Sequence, residues 1–188
     1  MEDGSEIQIS TTKERPMNKS NQNISFRGSR LHVSGREVKE GDLLPAFKLV
    51  ANDMSEVEAQ RYAGKVLVIC AVPSLDTPTC AIETKRFNDE AAKLSANVSI
   101  VVVSLDLPFA QKRWCGQEGV NRVETLSDYK YRVFGENFGA YIQEMGLLAR
   151  AVFVVDKAGK VALVEYVTDI SQEPSYDAIL KKVAELAA

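Results

Sequence analysis

Two stretches of this chain read as strands buried on both faces, and the amphipathic stretch between them fixes how they can be joined. Residues 65–72 run Lys-Val-Leu-Val-Ile-Cys-Ala-Val. They are continuous and β-branched without alternation, as expected of a strand covered by other layers on both sides. Pro73 ends the run. Residues 98–105 (Val-Ser-Ile-Val-Val-Val-Ser-Leu) repeat the pattern. Between them Cys80, Thr84, Phe87, Ala91 and Leu94 recur at helical spacing, with Glu83, Lys85, Arg86 and Asp89 interposed. The simplest assembly is strand, helix and parallel strand through a right-handed crossover. That unit is the nucleus of an α/β domain.

The rest of the chain adds to this nucleus. Residues 108–115 read as a short helix stopped by Gly116, 123–126 as a weak strand, and 127–134 as a further helix. Residues 147–155 and 161–167 flank Asp156-Lys157-Ala158-Gly159 and read as a β-hairpin. A last helix spans 175–187, with Tyr176, Ile179, Leu180, Val183 and Leu186 on its apolar side. Upstream, 24–33 reads as a hairpin and 41–50 as a turn and short strand. Residues 1–23 are polar, with Ile7, Ile9 and Met17 as their larger apolar side chains, and read as a tail before a single domain over 24–188. This element order is that of a thioredoxin-like α/β fold: a central mixed β-sheet flanked by helices, here with an added N-terminal β-hairpin.

Charge and hydropathy narrow the function classes. With 45% hydrophobic and 26% charged residues and a net charge of −3, the chain has the balance of a globular protein and no basic surface for nucleic acid. The apolar runs are of strand length, so no membrane span or membrane partner is expected. The first residues are acidic and no apolar leader follows, so the expected setting is cytoplasmic.

Cys80 is the first candidate for chemistry. Thr77 suits the N-cap of its helix and Pro78 the first helical position, which puts the thiol third. Unsatisfied backbone N–H groups and the positive end of the helix dipole favour thiolate there. An ordinary cysteine with a pKa of about 8.5 is about 3% thiolate at pH 7, whereas a pKa of about 6 makes it about 90%. Position alone is equally compatible with a small buried hydrophobe.

Arg150 is the second candidate, because it interrupts an apolar run and a buried guanidinium needs an anion. A thiolate would serve, and so would a carboxylate such as Glu83. Cys115, between Trp114 and Gly116 at a helix end where unfolding is cheap, is the third. Spacing leaves two readings of Cys80 and Cys115 open: a redox pair or unrelated free thiols. Cys70, inside the buried run, reads as inert packing. The single histidine, His32, lies in the first hairpin with nothing local to activate it, and reads as structural. Three cysteines without CxxC spacing fit neither a disulfide scaffold nor a zinc site, so no metal is expected.

These residues resemble a known family. Pro73, Thr77 and Cys80 match the Pro-x-x-x-Thr-x-x-Cys pattern of the peroxiredoxins, and residues 73–80 resemble the thiol peroxidase branch in particular. Residues 106–116 (Asp-Leu-Pro-Phe-Ala-Gln-Lys-Arg-Trp-Cys-Gly) resemble that branch's segment around its resolving cysteine, 147–152 its arginine segment, and 173–177 the start of its last helix. The resemblance implies that Cys80 attacks a hydroperoxide and becomes a sulfenic acid. Thr77 would then hydrogen-bond the peroxide and thiolate, Arg150 would stabilise the thiolate and the developing charge, and Pro73 would shield the sulfur. Glu83 would orient Arg150. It further implies that Cys115 forms an intrachain disulfide with Cys80, that thioredoxin reduces it, that no metal or organic cofactor takes part, and that the protein is a homodimer. The alternative of another class is a peroxide-sensing redox switch using the same cysteine pair. A thioredoxin-type dithiol oxidoreductase would lack its CxxC.

Overall fold

The computed structural model describes residues 23–188 together with the backbone of Ile9–Ser10. In chain order the strands begin with β1 (Ile9–Ser10), β2 (Ile24–Phe26), β3 (Ser29–Leu31), β4 (Val33–Ser34), β5 (Leu44–Pro45), β6 (Lys48–Ala51) and β7 (Glu56–Glu58). A 3-10 turn over Ala59–Tyr62 leads to β8 (Val66–Ala71), α1 (Pro78–Ala91), β9 (Val98–Ser104), α2 (Pro108–Glu118), β10 (Glu124–Ser127) and α3 (Val133–Asn137). Then come β11 (Tyr141–Ile142), β12 (Leu147–Leu148), β13 (Ala151–Val155), β14 (Val161–Tyr166) and α4 (Tyr176–Ala187).

Seven strands form the central sheet in the order β14-β13-β8-β9-β10-β6-β7. β8, β9 and β10 pair in parallel, and the remaining neighbours pair antiparallel. The expected β8-α1-β9 crossover is present, in register from Val66↔Val98 to Ala71↔Val103. All six residues of β8 are buried. Alternate side chains explain why none could be polar. Val66, Val68 and Cys70 pack with Cys80, Phe87, Trp114, Ile179 and Val183 of the helices α1, α2 and α4. Leu67, Ile69 and Ala71 point the other way, into a cluster with Phe47, Tyr62, Phe134, Phe138 and Phe153. This is the thioredoxin-like arrangement anticipated from the element order.

The sheet register also places the site. β13 runs antiparallel to β8 with Ala151 opposite Ala71, so the residue just before β13 lies at the end of β8 from which the chain departs for α1. That residue is Arg150.

Several boundaries differ from the expectations. α2 continues through Gly116 to Glu118 and ends at Gly119, whose φ of 69° is the left-handed cap conformation. Gly116 has the same freedom but no positive φ, so it costs the helix about 1 kcal/mol and does not end it. The helix expected over 127–134 begins only at Val133, because Ser127 completes β10 and Asp128 turns the chain, accepting from the N–H groups of Phe134 and Gly135. The run 147–155 is two strands, β12 and β13, separated at Ala149 and Arg150. β7 and the 3-10 turn have no counterpart among the expected elements.

The hairpin of β2 and β3 is present and packs Ile24 and Leu31 with Ala149 and Ile170. Of the polar tail, Ile9–Ser10 pairs in parallel with Leu44–Pro45. The rest of 1–22 lies outside the described residues.

Candidate active site

The segment leaving β8 is set by an aspartate that the sequence did not single out. Asp106, just past β9, accepts from Ser74 Oγ (2.7 Å), the backbone N–H of Leu75 (2.8 Å) and Ser104 Oγ (2.8 Å). The carboxylate therefore shapes the 73–76 turn that delivers the chain to α1. Pro73 is buried within that turn.

α1 starts as anticipated, with Thr77 at the N-cap, Pro78 next and Cys80 third. Thr77 does not cap with its side chain. Its Oγ1 lies 2.9 Å from the Ser74 carbonyl oxygen and 2.8 Å from Cys80 Sγ. One hydroxyl proton serves these two acceptors. While Cys80 is a thiol, its S–H can donate to Oγ1 and the hydroxyl to Ser74; once Cys80 is a thiolate, the hydroxyl can turn to the sulfur.

Cys80 is fully buried, and Arg150 is 1% exposed. Arg150 Nη2 lies 3.4 Å from Cys80 Sγ. The same guanidinium donates from Nε (3.1 Å) and Nη2 (2.9 Å) to the carbonyl of Ile170, and from Nη1 to Glu83 Oε2. Ile170 is in turn held by the first hairpin, through its N–H to the Ser25 carbonyl at 3.0 Å. The added hairpin thus has a structural role: it braces the carbonyl that aims the guanidinium. Thr79 Oγ1 donates to the Ser171 carbonyl and ties the first turn of α1 to the same segment.

Glu83, which the helical pattern places among the polar residues of α1, is fully buried. It lies three residues beyond Cys80, so both face Arg150 from one side of the helix. Burial pushes its carboxyl up to about 7, with Arg150 opposing the rise. Burial works against the charge on Arg150 too, but Glu83 and Cys80 outweigh it and hold its proton more tightly than usual. The spacing carried the signal: a carboxylate three residues after a buried cysteine belongs to the inward face.

Cys115 has a different setting. It is half-buried in the last two turns of α2, its Sγ 3.4 Å from Thr125 Oγ1 on β10. Asn52 Nδ2 donates to that hydroxyl at 2.8 Å. Burial raises the Cys115 pKa, against the hydrogen bonds from Thr125 and Asn52. The sulfur borders an open cleft of about 430 Å³ lined by Asn52, Arg61, Asn121 and Thr125 among others.

Cys70, Cys80 and Cys115 are all free thiols. Cys70 is fully buried and its pKa is driven well up by desolvation, with Glu83 adding to the rise. His32 is exposed and pairs through Nδ1 with Glu144. Among the described residues no cluster of His, Cys, Asp or Glu could hold a metal ion, and no helix is long and apolar enough to cross a membrane.

The Redoxin family model matches residues 39–180. A thiol peroxidase of Oceanobacillus iheyensis is 48% identical over 158 residues, covering 84% of this chain and 96% of the relative. One from Bacillus subtilis is 48% identical over 154 residues, covering 82% and 92%. The chain belongs to the thiol peroxidases of the redoxin family. Among solved structures, a peroxiredoxin-like protein from Aquifex aeolicus superposes with a TM-score of 0.83 at 42% identity, covering 90% of this chain and 98% of that one. A thiol peroxidase from Chromobacterium violaceum, 23% identical with a TM-score of 0.77 and covering 88% of this chain and 97% of that one, shares the fold.

Proposed function

We propose that the protein is a thiol-dependent peroxidase in which Cys80 reduces hydrogen peroxide and organic hydroperoxides. The observation that carries this reading is the Arg150 guanidinium 3.4 Å from a sulfur in the first turn of a helix. The Cys80 thiolate attacks the terminal oxygen of the hydroperoxide. The S–O bond forms as the O–O bond breaks, the sulfur becomes a sulfenic acid, and the alkoxide or hydroxide leaves with a proton as alcohol or water. Arg150 stabilises the charge on the sulfur first and on the separating oxygens next, and Thr77 turns its hydroxyl toward the same atoms. Glu83 and the Ile170 carbonyl keep the guanidinium aimed, and Pro73 shields the sulfur from water.

Cys115 then attacks the sulfenic sulfur, releasing water and leaving an intrachain Cys80–Cys115 disulfide. A thioredoxin-class dithiol reduces that disulfide, and the open cleft beside Cys115 supports its access. The working unit is residues 24–188, expected as a homodimer in the cytoplasm. The test is peroxide turnover coupled to thioredoxin, with mass spectrometry after one equivalent of peroxide. A Cys80–Cys115 linkage is the expected product; a lasting sulfenic acid on Cys80 would mean that the resolving thiol is external.

A further inference from the structure

The two sulfurs are held by different parts of the sheet. Cys80 lies against Arg150, which enters the sheet beside β8, whereas Cys115 lies against Thr125 on β10, with β9 between. Two strand spacings separate β8 from β10, about 10 Å across the sheet. A disulfide requires Cα atoms within about 7 Å. Pairing the sulfurs therefore requires local opening where they are held, and Cys115, half-buried near the end of α2, has the more exposed setting of the two.

Moving Cys115 undoes a defined set of contacts. Its carbonyl accepts from the N–H of Gly119 and from that of Val120 (3.0 Å), the paired bonds that close the end of α2. Lys85 of α1 pairs with Glu118 at the last residue of α2, and the chain just beyond is held to α1 by the side chain of Asn88. Asn88 Oδ1 accepts from the backbone N–H of Asn121 (3.0 Å) and of Arg122 (2.8 Å). Asn88 is 9% exposed and stands two turns beyond Cys80 on the same helix. It binds the helix of one cysteine to the exit of the helix carrying the other.

We propose that Asn88 is a positioning residue for disulfide closure: its carboxamide clamps residues 121–122 to α1 and sets how quickly the end of α2 releases Cys115 toward Cys80. This rests on the reading of Cys115 as the resolving thiol. In the closed form the clamp satisfies two N–H groups. In the open form water satisfies them, so weakening the clamp favours opening without touching the first oxidation. Closure is redox-neutral between the two sulfurs: Cys115 gives up its proton and attacks, the S–O bond of the sulfenic acid breaks, and one water leaves.

Trp114, the single tryptophan, is buried next to Cys115 and reports the motion. After mixing the reduced protein with peroxide, the phase whose rate scales with peroxide should be unchanged in Asn88→Ala. The later, peroxide-independent phase should be about tenfold faster, the effect of losing two hydrogen bonds from the closed form alone. Asn88→Asp keeps an acceptor for both N–H groups and should restore the parent rate, which a general loosening of the fold would not. Hydrogen exchange at residues 116–122 of the reduced protein should rise in Asn88→Ala and return to the parent level in Asn88→Asp. A closure phase no faster in Asn88→Ala, or equally fast in Asn88→Asp, overturns the clamp. If the parent forms no Cys80–Cys115 disulfide, the reading of Cys115 fails and takes the proposal with it. That outcome is told apart from failure of the clamp alone, in which the parent closes its disulfide and the variant gains nothing.

Discussion

Cys80 and Cys115 sit at opposite ends of two helices packed on the same face of one sheet. Cys80 occupies the first turn of α1, fully buried, facing a hydroxyl and a guanidinium. Cys115 occupies the C-terminal part of α2, half-buried beside a neutral hydroxyl, where the helix dipole opposes negative charge. The contrast teaches a division of labour. On the proposed roles, the sulfur that would attack first has a guanidinium beside it, and the sulfur that would attack second lies half-buried where burial raises its pKa.

The sharpest way to break this comparison is to remove each sulfur in turn. Cys80→Ser should lower peroxide turnover at least about a thousandfold, since the nucleophile itself is gone. Cys115→Ser should leave the first oxidation in place and stall recycling by thioredoxin; sustained turnover in that variant would assign the resolving role elsewhere. Next in size, Arg150→Met combined with Glu83→Gln, which avoids leaving the carboxylate unpaired, should slow Cys80 oxidation about a hundredfold. Alkylation of Cys115 in the reduced protein should not change, and a matching loss there would mean that the substitution disturbs both ends.

Smaller effects sharpen the contrast. Thr77→Val should slow oxidation about tenfold, whereas Thr77→Ser should retain most of the rate, a difference readable by stopped-flow. Alkylation of Cys115 at pH 7 should be slower than that of an unstructured cysteine and should rise steeply only in the alkaline range, since burial raises its pKa.

Stability should also depend on pH through Glu83. Its folded value near 7 exceeds the ordinary 4.5, so between these the folded state holds a proton that the unfolded chain has lost. Stability should therefore fall as pH rises from about 4.5 to about 7, and Glu83→Gln should flatten that slope in chemical denaturation. Asp128, raised to about 6 by burial, acts in the same direction over a lower range, so part of the slope should survive.

Much of this was legible because the pattern is local. The β8-α1-β9 unit, the N-cap at Thr77 and the last helix arise from periodicity and turn chemistry within a few residues. The end of α2 was not legible, because Gly116 and Gly119 differ only in backbone conformation, and the φ of 69° at Gly119 is fixed by the path of the chain beyond it, where Asn88 holds residues 121 and 122. Asp106 escaped notice because its partners Ser74 and Leu75 lie about thirty residues earlier and meet it only across neighbouring parallel strands. Glu83 was legible as a partner for Arg150 from its place three residues after Cys80, but its full burial depends on Arg150 arriving from a distant strand.

The sequence by itself determined the fold class and the two residues on which the proposed chemistry rests, a cysteine opening a helix and an arginine in an apolar run. Those are statements about one segment at a time, and hydrophobic period and capping decide them. Only the tertiary structure decided that the two meet. The antiparallel register of β13 on β8, with Ala151 opposite Ala71, carries Arg150 to the start of α1, and the N-terminal hairpin holds the Ile170 carbonyl that aims it. Long-range register is a property of the packed sheet, since it depends on every buried face at once.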